Sequence, residues 1–358
     1  MNFDALIDRF GEPGLLAAGG LVVGLAFGSL AQHSKFCLRS AVIEFSGGSL
    51  STKVAIWLLT FSAAVAATQA AIVWGLLDVT DAHQLAARGS LSGAVIGGLM
   101  FGAGMILARG CAARLLVLSA TGNLRALVAG LILTVVAQAS FRGILSPVRE
   151  ALAELWTVDG GTSRYLLSLI HAGPVFGLAL GASWLTFALW LARRARIGIG
   201  VRVSAIGVGL SVAAGWLFTF TIAQHSFALI TINSVTFTGP SADTLMAFIN
   251  SPTVPLGFGI ALVPGVFAGS LFSALIANEW KLEGFHDGQS MTRYLAGTIL
   301  MGFGGMLAGG CAVGAGVTGS AIFALTGWVA LTAMWAGGVV THLIVDGRLF
   351  NTLATMRA

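Results

Sequence analysis

Residues 97–112, GGLMFGAGMILARGCA, align with residues 297–312, GTILMGFGGMLAGGCA, at a shift of 200 positions. Eight of the sixteen positions are identical, and the matches include the closing Gly-Cys-Ala of each stretch. A second block, AQHS, occurs at residues 31–34 and again at residues 223–226. Because both blocks hold uncommon residues and recur in the same order, they indicate an internal duplication.

The chain around these blocks is too apolar for a water-soluble domain. Of its 358 residues, 56% are hydrophobic and only 9% are charged, with a mean hydropathy of +0.91. Soluble domains carry roughly 25% charged residues. The composition therefore excludes a soluble enzyme and a disordered protein. The net charge of +5 is spread between apolar runs, which excludes a nucleic-acid-binding face and indicates the lipid bilayer as the chain's surroundings.

Apolar stretches near the roughly 20 residues that cross a bilayer as a helix occur nine times. They predict an all-α polytopic membrane protein that forms a single transmembrane domain over residues 1–358. Eight or ten spans, with one boundary misplaced, remain the alternative. The nine predicted spans cover about residues 14–32, 54–77, 91–108, 124–141, 166–192, 203–224, 254–277, 292–308 and 325–345.

The distribution of positive charge predicts the orientation. The connection after the fifth span carries Arg193, Arg194, Arg196 and Arg202, and such connections stay in the cytoplasm. With nine spans the N-terminus is then periplasmic and the C-terminus cytoplasmic. Of the 19 Lys and Arg residues, 14 fall on inner connections and five on outer ones, namely Arg9, Arg88, Arg142, Arg149 and Arg164.

The duplicated units hold four spans each. Repeat A covers about residues 14–141, the linking span lies within about 142–202, and repeat B covers about 203–346. Because an odd number of crossings separates equivalent positions, the two repeats are predicted to be inverted. Inverted repeats are common in transporters, where broken helices of both halves meet near the membrane midplane.

Four connections are too short to span and too apolar for exposed loops: residues 33–50, 109–122, 225–238 and 309–323. We interpret them as re-entrant broken helices, because irregular backbone at membrane depth is tolerated only when it is buried or lines a cavity. All three cysteines, Cys37, Cys111 and Cys311, lie in these segments. Buried thiols also occur as plain small hydrophobic residues. Converging thiols would instead hydrogen-bond weakly to a sulfur-bearing solute, exchange sulfur with it, or form a redox pair.

Positive groups flank the cysteines. Lys35 and Arg39 flank Cys37, and Arg109 and Arg114 flank Cys111. The amides of Gly110 and Gly310 are predicted to lie at the starts of re-entrant helices. Cations and helix-start amides favour a small anion as solute. The alternative role for each Arg is that of a positive charge on a cytoplasmic connection, which fixes the orientation of the chain in the membrane.

The repeated AQHS blocks contribute four polar side chains, Gln32, His33, Gln224 and His225. They either form structural hydrogen bonds to loop carbonyls or line the solute path. No phosphate-binding loop, HExxH motif or nucleophile triad is present in the sequence. We therefore predict no catalytic residues, no metal site and no cofactor.

Three segments are recognisable together: QHSKFCLRS at residues 32–40, LARGCAARLLVLSATGNLRALVAG at 107–130 and LAGGCAVGAGVTG at 307–319. They closely resemble the YeeE/YedE family of bacterial inner-membrane proteins, over nearly the whole chain. The resemblance implies an hourglass-like fold of nine spans with broken helices at its waist. It also implies uptake of thiosulfate or a related small sulfur anion for sulfur assimilation, guided by weak contacts with Cys37, Cys111 and Cys311.

The resemblance further implies a cytoplasmic TusA-type sulfur carrier as a separate partner. Arg109 and Arg114 depart from the most Gly-rich form of the family motif. Three alternatives to thiosulfate uptake remain at this point: transport of a selenium compound, an integral membrane thiol oxidoreductase, and a membrane scaffold that transports nothing. The second would need two cysteines at disulfide distance.

Overall fold

The computed structural model describes residues 3–226, 228–250, 255–284 and 288–345. Helices dominate this part of the chain. In a bilayer, a long run of Leu, Ala, Val and Ile has no water to bond with, and a helix satisfies all of its backbone hydrogen bonds internally. The helices are α1 (Phe3–Ser34), α2 (Leu38–Ser46), α3 (Thr52–Val73), α4 (His83–Ala86), α5 (Leu91–Leu107), α6 (Ala112–Ala120), α7 (Leu124–Arg142), α8 (Ser146–Glu154), α9 (Leu166–Leu169), α10 (Pro174–Arg194), α11 (Ile199–His225), α12 (Thr238–Asn250), α13 (Phe258–Ile276), α14 (Gly288–Leu307) and α15 (Leu325–Val345). The strands β1 (Gly89–Ser90) and β2 (Thr157–Val158) pair antiparallel.

Within the described ranges, nine helical segments are long and apolar enough to cross a membrane. This confirms the predicted all-α polytopic membrane protein. The segments are Phe10–Ser46, Thr52–Val73, Leu91–Ala120, Leu124–Arg142, Pro174–Arg194, Ile199–His225, Phe258–Ile276, Met291–Gly319 and Leu325–Val345. The predicted start of the seventh span at residue 254, the end of repeat B at residue 346 and the two chain termini lie outside the described residues.

The fifth span begins later than predicted. We placed its start at residue 166, but residues 166–169 form the separate short helix α9 and the spanning helix α10 starts at Pro174. His171 has a left-handed backbone with φ of 54°, which ends α9. Pro174 suits the first turn of α10, where its missing N–H is not needed.

Three of the four segments predicted to be broken helices contain only a short helix. Residues 38–46 and 112–120 form nine-residue α-helices, and Ala312–Gly319 forms a π-helix. Residues 228–236 have no regular helix or strand. Their re-entrant course through the membrane remains a prediction, which these breaks support.

The predicted repeat makes each helix contact in one half equivalent to a contact that involves the corresponding helices of the other half, and both members of such pairs of contacts are present. α1 packs along α13 and α11 packs along α3, while α5 lies between α14 and α15 and α14 also contacts α7. On the α5–α14 contact, a Cβ at Gly97 would lie 2.5 Å from the Gly304 carbonyl oxygen, and one at Gly104 would lie 2.5 Å from the Gly297 carbonyl oxygen. Positions 97 and 297 are equivalent in the repeat, as are 104 and 304. The glycine faces therefore meet in the pattern expected for a two-fold axis through this crossing.

The two AQHS blocks lie at opposite ends of the α1–α11 pair. At one end the His33 ring lies against Gly200 near the start of α11, and at the other Ser226 donates to the Glu12 carboxylate near the start of α1. The two helices are thus antiparallel. This arrangement supports the predicted inversion and separates His33 from His225.

Candidate functional site

Each cysteine is the residue immediately before a short helix. The preceding helix ends, a left-handed residue turns the chain, one further residue follows, and the cysteine then caps the short helix. The left-handed residues are Lys35 (φ 56°), Arg109 (φ 56°) and Gly309 (φ 78°). Because a side chain at positive φ is sterically disfavoured, the turn costs more at Lys35 and Arg109 than at Gly309. The same local geometry thus places all three thiols at helix N-termini.

The three thiols are buried, with exposed fractions of 7% for Cys37, 2% for Cys111 and 1% for Cys311, and all three are free. The Cys37 and Cys111 side chains lie close enough to influence each other. Cys311 lies within electrostatic range of Cys111. Cys111 therefore lies beside Cys37 and also near Cys311.

Backbone amides of the short helices face the sulfur atoms. The Gly314 N–H donates to Cys311 Sγ at 3.4 Å. The amides of Ser40 and Arg114, three residues after Cys37 and Cys111, approach those sulfurs in looser geometry that makes no cap hydrogen bond. Each thiol thus lies at the positive end of a helix dipole.

The amides of Gly110 and Gly310 are used differently from our interpretation of the sequence. The Gly110 N–H donates to the Met105 carbonyl at 3.2 Å and the Gly310 N–H to the Gly305 carbonyl at 2.8 Å. These bonds close the preceding helices α5 and α14, because the last carbonyls of a helix need donors from the residues that follow it. Both glycines stay beside the cysteines, but their amides are already engaged.

Lys35 and Gln32 belong to a polar network that joins α1, α6 and the end of α13. Lys35 Nζ and Gln32 Nε2 both donate to Glu279 Oε2, at 2.5 and 2.8 Å, and Arg114 donates to Gln32 Oε1 at 3.3 Å. The Lys35 ammonium, assisted by Gln32 and Arg114 and opposed by partial burial, holds the pKa of the Glu279 carboxyl below its usual value. Lys35 is consequently charge-compensated.

Gln224 and His225 do not join this network. Both are exposed at the far end of α11, where His225 Nδ1 lies 2.9 Å from the Thr221 carbonyl. His33 is exposed as well, whereas Gln32 is buried. The structure sets Cys37 beside Cys111 and joins Lys35 and Gln32 at Glu279, and it leaves the second AQHS block elsewhere.

Arg109 is exposed, and its guanidinium carbon lies 5.8 Å from the centre of the Tyr294 ring. Sequence reasoning missed Tyr294 and Glu279, which lie more than 150 residues along the chain from the groups they contact. A tyrosine or carboxylate next to the end of an apolar run was the available signal, but nothing in the sequence paired them with Arg109 or Lys35. In the described part of the chain, no group of three or more His, Cys, Asp or Glu side chains is arranged to hold a metal ion.

A family model described as sulphur transport matches residues 33–340, which cover most of the chain and all three cysteines. The chain belongs to this sulphur transport family. Within the curated proteins, it is 26% identical over 344 residues to the thiosulfate transporter TsuA of Escherichia coli K12, an alignment that covers 89% of this chain and 91% of that protein. It is also 26% identical over 334 residues to the thiosulfate transporter TsuA of Spirochaeta thermophila, with coverage of 87% and 93%.

Membership of the sulphur transport family, together with nine membrane-crossing segments, makes this chain a multi-pass membrane transporter. The recognition of a YeeE/YedE-type protein from its three segments is confirmed. Because the family and both relatives are transporters, the thiol oxidoreductase considered above is excluded.

Proposed function

We propose that this protein takes up thiosulfate across the bacterial inner membrane for sulfur assimilation, through a constriction lined by Cys37, Cys111 and Cys311. The observation that carries the proposal is the placement of three buried, free thiols at the N-termini of three short helices. Two relatives that align along most of this chain are named thiosulfate transporters.

The chemistry of such a constriction matches a sulfur anion. Thiosulfate carries two negative charges, three oxygens and a soft terminal sulfur. The positive ends of the short helices offset part of the cost of removing this charge from water. Thiols are weak donors and polarizable, so they contact the terminal sulfur without holding it tightly. Weak contacts at successive sites allow an ion to leave as well as enter.

The proximity of Cys111 to both other thiols supports an order of passage. Cys111 interacts with Cys37 and lies within electrostatic range of Cys311. An anion that moves between the outer two thiols would therefore pass Cys111. In this proposal Cys111 is the central site of the relay, and the hourglass waist lies where α2, α6 and the π-helix meet.

The membrane orientation and the partner belong to the same proposal. The arginine-rich connection between α10 and α11 supports a cytoplasmic C-terminus and a periplasmic N-terminus. The end of α1, next to Gly200, then faces the cytoplasm together with Lys35. A separate TusA-type carrier would receive sulfur at that face, and co-purification of the carrier with the membrane-embedded protein tests this pairing.

Growth complementation tests the substrate. A bacterium that lacks its uptake systems for sulfate and thiosulfate should grow on thiosulfate as sole sulfur source when it produces this chain, and should fail to grow with an empty vector. Inserted but inactive protein would contradict the proposal. Competition by selenite against labelled thiosulfate addresses the selenium alternative: stronger inhibition by selenite than by unlabelled thiosulfate would favour a selenium compound as the substrate.

A further inference from the structure

Two arginines, Arg109 and Arg125, contact Tyr294, and two more, Arg39 and Arg293, lie near them. Arg125 donates from Nη1 to the Tyr294 hydroxyl at 2.9 Å, and its guanidinium carbon lies 4.8 Å from the ring centre. Arg109 lies over the same ring at 5.8 Å. Arg39 is in electrostatic range of Arg109, Arg293 and Tyr294. We call Arg39, Arg109, Arg125, Arg293 and Tyr294 the arginine cluster.

The positive charge of the arginine cluster is not neutralised by the side chains that the structure describes. Among those side chains none of the four guanidiniums forms an ion pair; the described ion pairs are Lys35 with Glu279 and Arg149 with Glu150. The Nε atoms of Arg39 and Arg293 are buried without a hydrogen-bond partner. Unpaired buried donors and like charges held close together are both costly, and a bound anion would relieve both.

The arginine cluster lies beside two of the three thiols, Cys37 and Cys111. Arg39 follows Cys37 by two residues and acts electrostatically on it, and Arg109 precedes Cys111 by two residues. The position that corresponds to Arg109 in the second half is Gly309, next to Cys311. The uncompensated charge therefore lies beside Cys37 and Cys111, on the side where α1 ends and α11 begins.

We propose that the arginine cluster is a separate binding site for a divalent tetrahedral oxyanion, which holds the oxygen end of the transported anion as it leaves the thiols. This site rests on the proposed sulfur-anion transport and adds a second step to it. The anion is recognised here through its oxygens, whereas the thiols contact its terminal sulfur. Guanidinium forks bind the oxygens of an oxyanion in pairs. The site should therefore accept sulfate, which has no terminal sulfur for the thiols to contact.

Calorimetric titration of the purified full-length protein with sodium sulfate at low ionic strength tests the site. Wild-type protein and the triple variant Cys37→Ala/Cys111→Ala/Cys311→Ala should bind sulfate with similar Kd. Arg39→Gln/Arg293→Gln should raise the Kd by about 100-fold, since each charged hydrogen bond contributes roughly tenfold or more. Arg39→Lys/Arg293→Lys should recover part of the affinity. The matched control Arg193→Gln/Arg194→Gln, on the exposed end of α10, should bind as wild type.

A second measurement needs no substitution, in case the glutamine variant does not fold. Phenylglyoxal modifies accessible arginines, and millimolar sulfate should slow its reaction with Arg109 several-fold while leaving Arg193 unaffected, as read by mass spectrometry. Absence of sulfate binding by wild-type protein, an unchanged Kd in folded Arg39→Gln/Arg293→Gln, or equal labelling of Arg109 with and without sulfate would overturn the site. Arginine-dependent sulfate binding in a chain that fails the thiosulfate growth test would keep the site and reject only thiosulfate as substrate.

Discussion

At the scale of single residues, the three cysteines share one local arrangement, the position immediately before a short helix. Each lies at a helix N-terminus, where Ser is normally a better cap because its hydroxyl accepts more strongly from the backbone. A thiol at this position caps the helix more weakly than a hydroxyl does. In exchange it offers a soft sulfur that binds weakly. The choice of Cys three times therefore supports the proposed contact with solute.

Replacement of the thiols distinguishes a relay from simple packing. We expect Cys111→Ser and Cys311→Ser to lower thiosulfate uptake by roughly tenfold or more, although the hydroxyl improves the cap and nearly conserves volume. A tenfold loss corresponds to about 1.4 kcal/mol at the rate-limiting barrier. Cys37→Ser should retain more uptake, because its position in the other half is occupied by Leu229. Uptake of labelled thiosulfate at matched expression is the measurement.

The control for these variants is Ser140→Ala, which removes a buried hydroxyl that donates within α7 at 2.7 Å. It should leave uptake near wild type. Normal growth on thiosulfate of the combined Cys111→Ala/Cys311→Ala variant would refute the cysteine relay and leave only the membrane fold.

At the scale of the elements, one ion pair holds the end of α13 against the turn between α1 and α2. Lys35 lowers the pKa of Glu279, so the carboxylate contributes stability above its unfolded pKa, and this contribution disappears as the pH falls through its lowered folded pKa. Glu279→Gln should therefore lower the melting temperature at pH 7, with a free-energy loss below about 1 kcal/mol because the pair is partly exposed.

The pH dependence supplies the check. The difference in melting temperature between wild type and Glu279→Gln should shrink towards zero in acid, where the wild-type carboxyl is also protonated. Glu150→Gln is the control, because Glu150 pairs with the adjacent Arg149 and ties no distant elements together. A difference that grows on acidification would show that the pair does not stabilise the fold.

The α5–α14 crossing depends on the absence of side chains at its glycines. A Cβ at Gly104 would lie 2.5 Å from the Gly297 carbonyl oxygen, and backbone cannot move away as a flexible side chain can. We expect Gly104→Ala to cost more than about 2 kcal/mol or to prevent accumulation of folded protein, in line with overpacking of a close helix contact. Gly130→Ala, where an added Cβ meets no atom within 4 Å, should be tolerated. Size-exclusion profiles and thermal melting of the two variants provide the comparison.

At the scale of the whole molecule, Cys111 lies near both Cys37 and Cys311, and the long helices α1 and α11 run antiparallel. The exchanged contacts of Gly97 with Gly304 and of Gly104 with Gly297 support a two-fold relation between the halves. The linking helix α10 packs against α3 of the first half. Its single crossing is what would invert the second half relative to the first.

Reporter fusions test this arrangement. A fusion after Arg196 should report the cytoplasm, and one at Asp159 should report the periplasm, because α10 lies between them. The activities should differ by roughly tenfold or more, since the positive-inside bias strongly favours one orientation. If both fusions reported the same side of the membrane, α10 would not cross and the inverted repeat would be lost.

Much of the architecture was predictable because it depends on local composition. Each span needs only a sufficient run of apolar residues, so nine of them were visible, and the breaks around Cys37, Cys111 and Cys311 were visible as runs of small residues between them. The start of the fifth span was misplaced because residues 166–173 are apolar, although Pro174 and the left-handed His171 interrupt the helix. The use of the Gly110 and Gly310 amides was also missed, since closing a helix end depends on backbone geometry.

By itself, the sequence determined the membrane class, the nine segments apolar enough to cross the membrane and the family, and it predicted the duplication, because hydrophobicity and motif spacing are read along the chain. Only the tertiary structure decided which side chains meet. It joined Lys35 and Gln32 to Glu279, set Cys111 beside Cys37, and brought Arg109 and Arg125 onto Tyr294. These contacts link residues far apart in sequence, and their partners are chosen by the crossing of helices at glycine faces, which no single segment encodes.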